Sequence, residues 1–480
     1  MKTFKTPGVY VEEIPNIPPS VAQAETAIPA FIGYTEKAKK TVDNDLLFVT
    51  HRIESIVEFE KYFGRANPES CEIELVEHTD ESRFELTINR VPSGIFFRMY
   101  YALRMYYANG GGPCYIISVG DYASIGISKG DVKTPAGLLG GLTVLEKEDE
   151  PTIIVIPDAV ELTSNEYKEI YEAALTQCKN LQDRVTILDL YDDTGDIIND
   201  ALNFRNSISL GSEYLKYGAA YYPRLKTVLN FPYDESKVTI KTHLDQNGNP
   251  PVQDLTGKAL DSVEIKNNKS DLYNQLIQKL KNSDEMQIVL PPSSAVAGIY
   301  ARIDNTQGVW KAPANVPINN VIKPTVAISN KGQDYLNVDI TDGKSINTIR
   351  SFIGKGTLVW GARTLAGNDN EWRYISVRRF FNMVEESCKK ATAAFIFEPN
   401  DTNTWTKIRA MLENFLTTLW RQGALQGAKP EHAFYVKCGL GETMTTQDIL
   451  NGFLIVEIGM AQIRPAEFIV LRFSHKMQES

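Results

Sequence analysis

Gly126-Ile127-Ser128-Lys129-Gly130 has the Gly-x-Ser-x-Gly spacing that, in hydrolases, lifts a nucleophilic serine onto a tight strand-to-helix elbow. Such an elbow needs a helix directly behind it, and Asp131-Val132-Lys133-Thr134-Pro135 intervenes, so the segment is expected to be a plain glycine-rich loop. Ile353-Gly354-Lys355-Gly356-Thr357 carries the lysine and threonine of a phosphate loop. However, Ile349 stands where the upstream glycine is required, and Gly356 separates the lysine from the hydroxyl. His51, His78, His243, His432 and His475 share no ligand spacing, and no Cys-x-x-Cys pair occurs, so no metal site is expected. The acidic run Asp189-Leu190-Tyr191-Asp192-Asp193-Thr194-Gly195-Asp196 misses the oxygen register of a calcium loop and reads as a solvated turn. These residues assign no catalytic, cofactor-binding or metal-ligating group, and the chain is read as a non-enzyme.

The elements around them follow an α/β rhythm. Ala27 to Tyr34 reads as a buried strand, Ile53 to Phe63 as a short helix ending at Gly64, and the aromatic run Ile95 to Tyr107 as a helix stopped by Gly110-Gly111-Gly112. Strands at Cys114 to Val119, Thr152 to Ile156, Val185 to Leu190 and Ala219 to Pro223 alternate with helices at Asn165 to Leu181 and Ile197 to Ser209. That order implies a mostly parallel sheet covered by helices, and contiguous apolar strands such as Ile153-Ile154-Val155-Ile156 fit burial on both faces. Residues 69–92 alternate around the polar break His78 to Ser82, a hairpin pattern expected to decorate the surface. Residues 232–285 are polar, with a turn at Gln246 to Pro251, a charged loop at Lys266 to Lys269 and a helix near Asp271 to Lys281, and read as an exposed insertion.

From Ile346 the texture becomes α+β. Leu358-Val359-Trp360 reads as a strand, Arg378 to Thr392 as a long helix, Phe395-Ile396-Phe397 as an apolar segment and Thr404 to Arg421 as a second helix. Strands are expected near Ala433 to Val436 and Phe453 to Glu457. The expected division is therefore an arm at 1–20, an α/β region at 21–345, a second domain at 346–464 and a carboxy-terminal arm at 465–480. A soft prior of roughly 150 residues per domain is consistent with that.

The net charge of −10 argues against sequence-independent nucleic-acid binding, which needs a broad basic surface. No stretch has the length and apolarity of a secretory signal or a membrane span, so synthesis in the cytosol without membrane insertion is expected. Cys71, Cys114, Cys178, Cys388 and Cys438 are odd in number and far apart, which points to buried thiols rather than a disulfide framework.

Both termini read as lone β-strands with nothing beside them to pair with. Pro7-Gly8-Val9-Tyr10-Val11-Glu12-Glu13-Ile14-Pro15 is followed by a stiff Asn16-Ile17-Pro18-Pro19 spacer. Glu467-Phe468-Ile469-Val470-Leu471-Arg472-Phe473-Ser474-His475 follows Pro465. Unpaired strands in soluble proteins are paired by a partner or aggregate. Two such arms, carried by Val9, Tyr10 and Val11 at one end and by Phe468, Ile469, Val470, Leu471, Arg472 and Phe473 at the other, suit donation to neighbouring copies in a polymer.

Several segments resemble the tail sheath proteins of contractile phages and related contractile injection machines. The longest runs from Pro291-Pro292-Ser293-Ser294-Ala295-Val296-Ala297-Gly298-Ile299-Tyr300-Ala301-Arg302-Ile303-Asp304 through Gly308-Val309-Trp310-Lys311-Ala312-Pro313-Ala314-Asn315. Others are Pro7 to Glu13, Ala219 to Pro223, Val359-Trp360-Gly361-Ala362-Arg363-Thr364-Leu365 and Trp372 to Arg379. The resemblance implies an outer portion with a subtilisin-like α/β fold and a tube-proximal carboxy-terminal sheath domain. It does not imply proteolysis, because neither a His-Gly-Thr-His nor a Gly-Thr-Ser-Met-Ala segment occurs.

The resemblance also implies a homo-oligomeric sheath of stacked rings around an inner tube protein, ending on baseplate and tail terminator proteins, in a phage tail or an injection particle, with no cofactor. Contraction would be spring-like. The arms keep neighbours linked while interfaces exchange, with Ile14 to Pro19 as one hinge and Pro465 bounding the other. Helix Thr404 to Arg421 is the expected tube-facing element: Trp405, Ile408, Met411, Leu412, Phe415, Leu416 and Leu419 form its core stripe, and Lys407, Arg409 and Arg421 lie outside it. The rival readings are a non-contractile structural protein of a capsid or tube, and a hydrolase or ATPase of the injection machine.

Overall fold

The computed structural model describes residues 21–78, 83–91, 95–124, 126–132, 136–339, 341–468 and 470. It has two compact units. One is Glu25–Asn382 with Glu467, Phe468 and Val470; the other is Met383–Ala466 with residues 21–24.

The larger unit is built on a nine-stranded sheet. Its order is Val316–Pro317, Gly356–Val359, Ile346–Phe352, Gly218–Tyr222, Val185–Asp189, Ile153–Val155, Pro29–Gly33, Cys114–Ser118 and His51–Ile53. The six strands from Ile346–Phe352 to Cys114–Ser118 are parallel, and antiparallel strands close both ends. Because successive side chains point to opposite faces, one strand feeds two cores. Phe31, Ile116, Ile153, Val155 and Ile187 pack with helices Met99–Ala108 and Ser293–Gln307, whereas Ala30, Ile32, Ile117, Ile154 and Leu188 pack with helices Gly137–Leu145, Ser164–Leu181 and Ile197–Ser207. Burial on both faces explains why these strands read as unbroken apolar runs rather than alternating ones.

Three expectations are corrected. The hairpin Glu69–His78/Arg83–Val91 is not mere decoration: Cys71, Ile73, Leu75 and Ile88 are buried in the core. The segment 232–285 is not a free insertion either. Tyr233–Asp245 runs parallel to Glu69–His78, and helix Ser270–Asn282 buries Leu272, Leu276 and Leu280. Its polar texture arises because each element shows a wet face on every second or fourth residue. Finally, the division does not fall at 345/346. Strand Ile346–Phe352 pairs with Gly218–Tyr222 and belongs to the large sheet, so the boundary lies inside helix Ile375–Thr392, at Asn382.

The smaller unit contains helix Thr402–Arg421 and a two-stranded antiparallel sheet, Phe434–Lys437 with Glu457–Met460. Phe395 closes a single 3-10 turn, Ala393–Phe395, and Ile396 and Phe397 are exposed. The second strand starts at Glu457, where the sequence reading ends it.

Candidate functional site

The segments with catalytic spacing have structural explanations. Ser128 lies in a loop, where its backbone N–H donates to the Tyr34 hydroxyl (3.0 Å) and its Oγ accepts from Gly130 N–H (3.2 Å); the next helix begins only at Gly137. Ile353–Lys355 is the turn of the hairpin between Ile346–Phe352 and Gly356–Val359, with Gly354 and Gly356 both at φ +76°. Those two positions need glycine for backbone geometry.

The buried carboxyls are shifted by their surroundings. Asp189, at the end of its strand, accepts from the Ser293 N–H (2.7 Å) at the start of helix Ser293–Gln307, and burial pushes its pKa up to about 7. Asp158 accepts from the backbone N–H groups of Arg98 (2.8 Å) and Tyr34 (3.2 Å), and burial raises it to about 6. Shifts of this kind mark candidate acid–base groups. Neither carboxyl meets a histidine, however. His51 packs on Tyr62 and Phe63, and His78 faces Glu85. His243 is buried, accepting at Nδ1 from the Leu255 N–H (3.1 Å) with Glu77 3.2 Å from Nε2.

Among the described residues no group of three or more His, Cys, Asp and Glu side chains could hold a metal, and no helix is long and apolar enough to cross a membrane. All five cysteines are buried free thiols, and burial pushes Cys71 up to about 11 and Cys114 and Cys388 up to about 12, which suppresses the reactive thiolate.

Helix Thr402–Arg421 starts at an Asp401 cap, whose carboxylate accepts from the Thr404 N–H (2.9 Å). Trp405, Ile408, Met411, Leu412, Phe415, Leu416 and Leu419 are all buried, and Lys407 and Arg421 are exposed. Arg409 differs from the other two cations. Its guanidinium donates to the Cys438 carbonyl (2.6 Å) and lies 3.4 Å from Glu442, so it is partly committed inside its own unit.

Of the residues expected in the arms, Val9, Tyr10, Val11, Ile469, Leu471, Arg472 and Phe473 lie outside the described residues. Phe468 and Val470 are 72% and 75% exposed. Just before them Glu467 is gripped: its carboxylate accepts from Arg363 Nε (3.0 Å) and a terminal nitrogen of the same guanidinium (2.7 Å), Asn337 Nδ2 (2.7 Å) and the Tyr374 hydroxyl (3.1 Å). At the other end the Thr26 carbonyl accepts from Arg379 (2.8 Å), which also pairs with Asp304 and lies over the Tyr300 ring. Sequence reasoning missed both arginines as functional candidates. The signal was present: Arg363 interrupts the apolar run Val359 to Leu365, and a charge in such a run needs a buried partner.

Six parallel strands buried between helices, joined to a smaller helix-and-strand unit, define a doubly covered α/β protein with an α+β appendage. Residues 132–365 match the phage tail sheath protein central domain, and residues 367–476 the phage tail sheath C-terminal domain. The chain belongs to the tail sheath family. It is 28% identical over 130 residues to the tail sheath protein of Enterobacteria phage T4 and 29% over 144 residues to that of Burkholderia phage BcepMu. Those stretches cover 26% and 29% of this chain, and only 19% and 30% of the respective relatives. Likeness to solved structures runs much further. The helical sheath of the anti-feeding prophage in its contracted state matches with a TM-score of 0.65 at 28% identity, covering 99% of this chain and 100% of that one. The contracted PVC sheath complex of an extracellular contractile injection system matches with a TM-score of 0.62 at 28% identity, covering 99% of both chains.

Proposed function

We propose that this chain is the structural subunit of a contractile sheath. It polymerises around an inner tube in a metastable extended lattice and slides into a shorter, wider one to drive the tube through a target envelope. The observation that carries this reading is the end-to-end likeness to a contracted sheath chain. Contraction needs neighbours that stay linked while their contacts exchange, and strand donation meets that demand because a β-ladder holds while its spacer swings.

The smaller unit supplies a fitting acceptor. Two-stranded sheets are marginal in water, and Phe434–Lys437 and Glu457–Met460 each have one unpaired edge among the described residues. An arm laid on such an edge gains roughly 0.5–1.5 kcal/mol net per backbone hydrogen bond. One arm from each of two neighbours, around Val9–Val11 and Phe468–Phe473, would turn the pair into a four-stranded sheet. The exposed cations Lys407 and Arg421, with Arg409 in support, face an acidic tube surface in this reading. The outer portion is subtilisin-like in fold, without its triad. The particle is a phage tail or an extracellular injection system, in which the sheath also meets baseplate and terminator proteins.

Electron microscopy of the purified protein, alone and co-expressed with its tube protein, tests the proposal. Hollow cylinders that shorten on mild denaturation support it. Monodisperse particles with enzymatic turnover, or tubes of one fixed length, overturn it.

A further inference from the structure

We infer that Arg363 is the positioning residue for the carboxy-terminal arm, fixing where it leaves the large unit so that tension on the arm is taken up by one buried clamp. This inference rests on the strand-exchange reading above.

Arg363 is nearly fully buried, its side chain 5% exposed, and each of its three guanidinium nitrogens donates to a partner. Nε and one terminal nitrogen hold Glu467, and the other terminal nitrogen donates to the Asn337 carbonyl (3.1 Å). Its own backbone is locked as well: the Arg363 N–H donates to Asn347 Oδ1 (2.7 Å), and Asn347 Nδ2 donates back to the Arg363 carbonyl (2.8 Å). Glu467 additionally accepts from Asn337 Nδ2 and the Tyr374 hydroxyl, so one carboxylate is held by three side chains. The next described residues, Phe468 and Val470, are exposed. A charge-assisted clamp therefore sits at the root of the arm, which a passive tail would not need.

Arg379 braces the same segment with a second buried ion pair. Its side chain is 3% exposed and paired to Asp304, itself 4% exposed, on helix Ser293–Gln307, and it donates to the Thr26 carbonyl where the chain enters the large unit. The two grips belong to one stretch of backbone. Arg363 is bridged to Tyr374, Tyr374 immediately precedes helix Ile375–Thr392, and Arg379 lies in that helix's first turns. The root of the carboxy-terminal arm thus sits on a segment braced at both Arg363 and Arg379, so that this arm leaves the large unit from a fixed point.

The test uses full-length sheaths assembled on the tube and triggered to contract, with broken and continuous sheaths counted by microscopy and the melting temperature of the subunit measured in parallel. The variants are Glu467→Gln and Tyr374→Phe, with deletion of 468–480 as the reference. The expected result is a several-fold rise in broken sheaths on contraction for each variant, with Tyr374→Phe subunits melting within about 2 °C of wild type. Should Glu467→Gln fail to fold, Tyr374→Phe decides, because it removes one hydroxyl from the clamp and leaves the ion pair. Continuous contracted sheaths in the variants, while the 468–480 deletion prevents assembly, would overturn the clamp and leave strand exchange standing. Breakage that only tracks lost subunit stability also overturns it. A deletion that assembles and contracts normally removes the strand-exchange reading, and this inference with it.

Discussion

Gly298, in the middle of helix Ser293–Gln307, lies against the backbone of Tyr106 in helix Met99–Ala108, so close that a Cβ added to it would sit 2.4 Å from the Tyr106 carbonyl oxygen and 3.0 Å from Asn109 Cβ. The missing side chain is what lets the two helices meet under the large sheet. A Gly298→Ala substitution gains helix propensity but forces the helices apart, and overpacking of this kind costs about 1–3 kcal/mol. Subunit unfolding by denaturant should show that loss; a stability equal to or above wild type would mean the contact relaxes freely.

Asp189 gives a pH prediction with a definite sign. Its folded pKa, about 7, lies above the ordinary aspartate value, so its contribution to stability is fully present below the unfolded value and is lost as pH rises through about 7. Asp189→Asn keeps an acceptor for the Ser293 N–H but cannot ionise. At roughly 1.4 kcal/mol per pKa unit, the variant should gain on wild type by on the order of 2 kcal/mol between pH 5 and pH 8. Denaturation at the two pH values checks this, and a difference that does not change with pH would show that the buried carboxyl is not the source.

The parallel strands were legible because burial on both faces leaves an unbroken apolar run, as in Ile153-Ile154-Val155, and the hairpin was legible from its alternation. Other elements left weaker signals. Helix Ser293–Gln307 is buried along nearly its whole length from Ser293 to Ile303, so it has no polar stripe from which to read a period. Tyr233–Asp245 pairs with a strand far earlier in the chain, and no local pattern announces a parallel partner. The Arg363–Glu467 grip spans 104 residues. Its two ends are readable as an odd charge in an apolar run and an acid before a strand, but their meeting is a product of the fold.

The arms give the third prediction. Removing residues 1–15 should leave a folded subunit, since terminal arms contribute little to a core built elsewhere, yet polymerisation or contraction should fail. Val470→Pro removes a backbone donor and fixes φ, which an unpaired tail would tolerate, so lateral cohesion should drop with subunit stability nearly intact. Wild-type cylinder lengths and normal shortening in both variants would argue that neither terminus is donated.

The helix proposed to face the tube gives the last, and here the structure separates three cations that the sequence grouped together. Lys407 and Arg421 are exposed, whereas Arg409 holds the Cys438 carbonyl and faces Glu442. Reversing Lys407 and Arg421 to Glu should weaken the extended sheath on an acidic tube while leaving the subunit's melting unchanged. Arg409→Glu should also destabilise the subunit, because it breaks an internal hydrogen bond and sets two acids side by side. Each exposed pair is worth only ~0.2–1 kcal/mol, so a single reversal can look silent. Repeated over every subunit, the same small term would, in the proposed mechanism, help hold the extended lattice in its high-energy register, and losing it should favour tube-free contracted polymers. Co-expression with tube protein and a count of extended against contracted particles measures this directly. An unchanged ratio for the Lys407/Arg421 double reversal would mean that this helix faces solvent or another subunit instead of the tube.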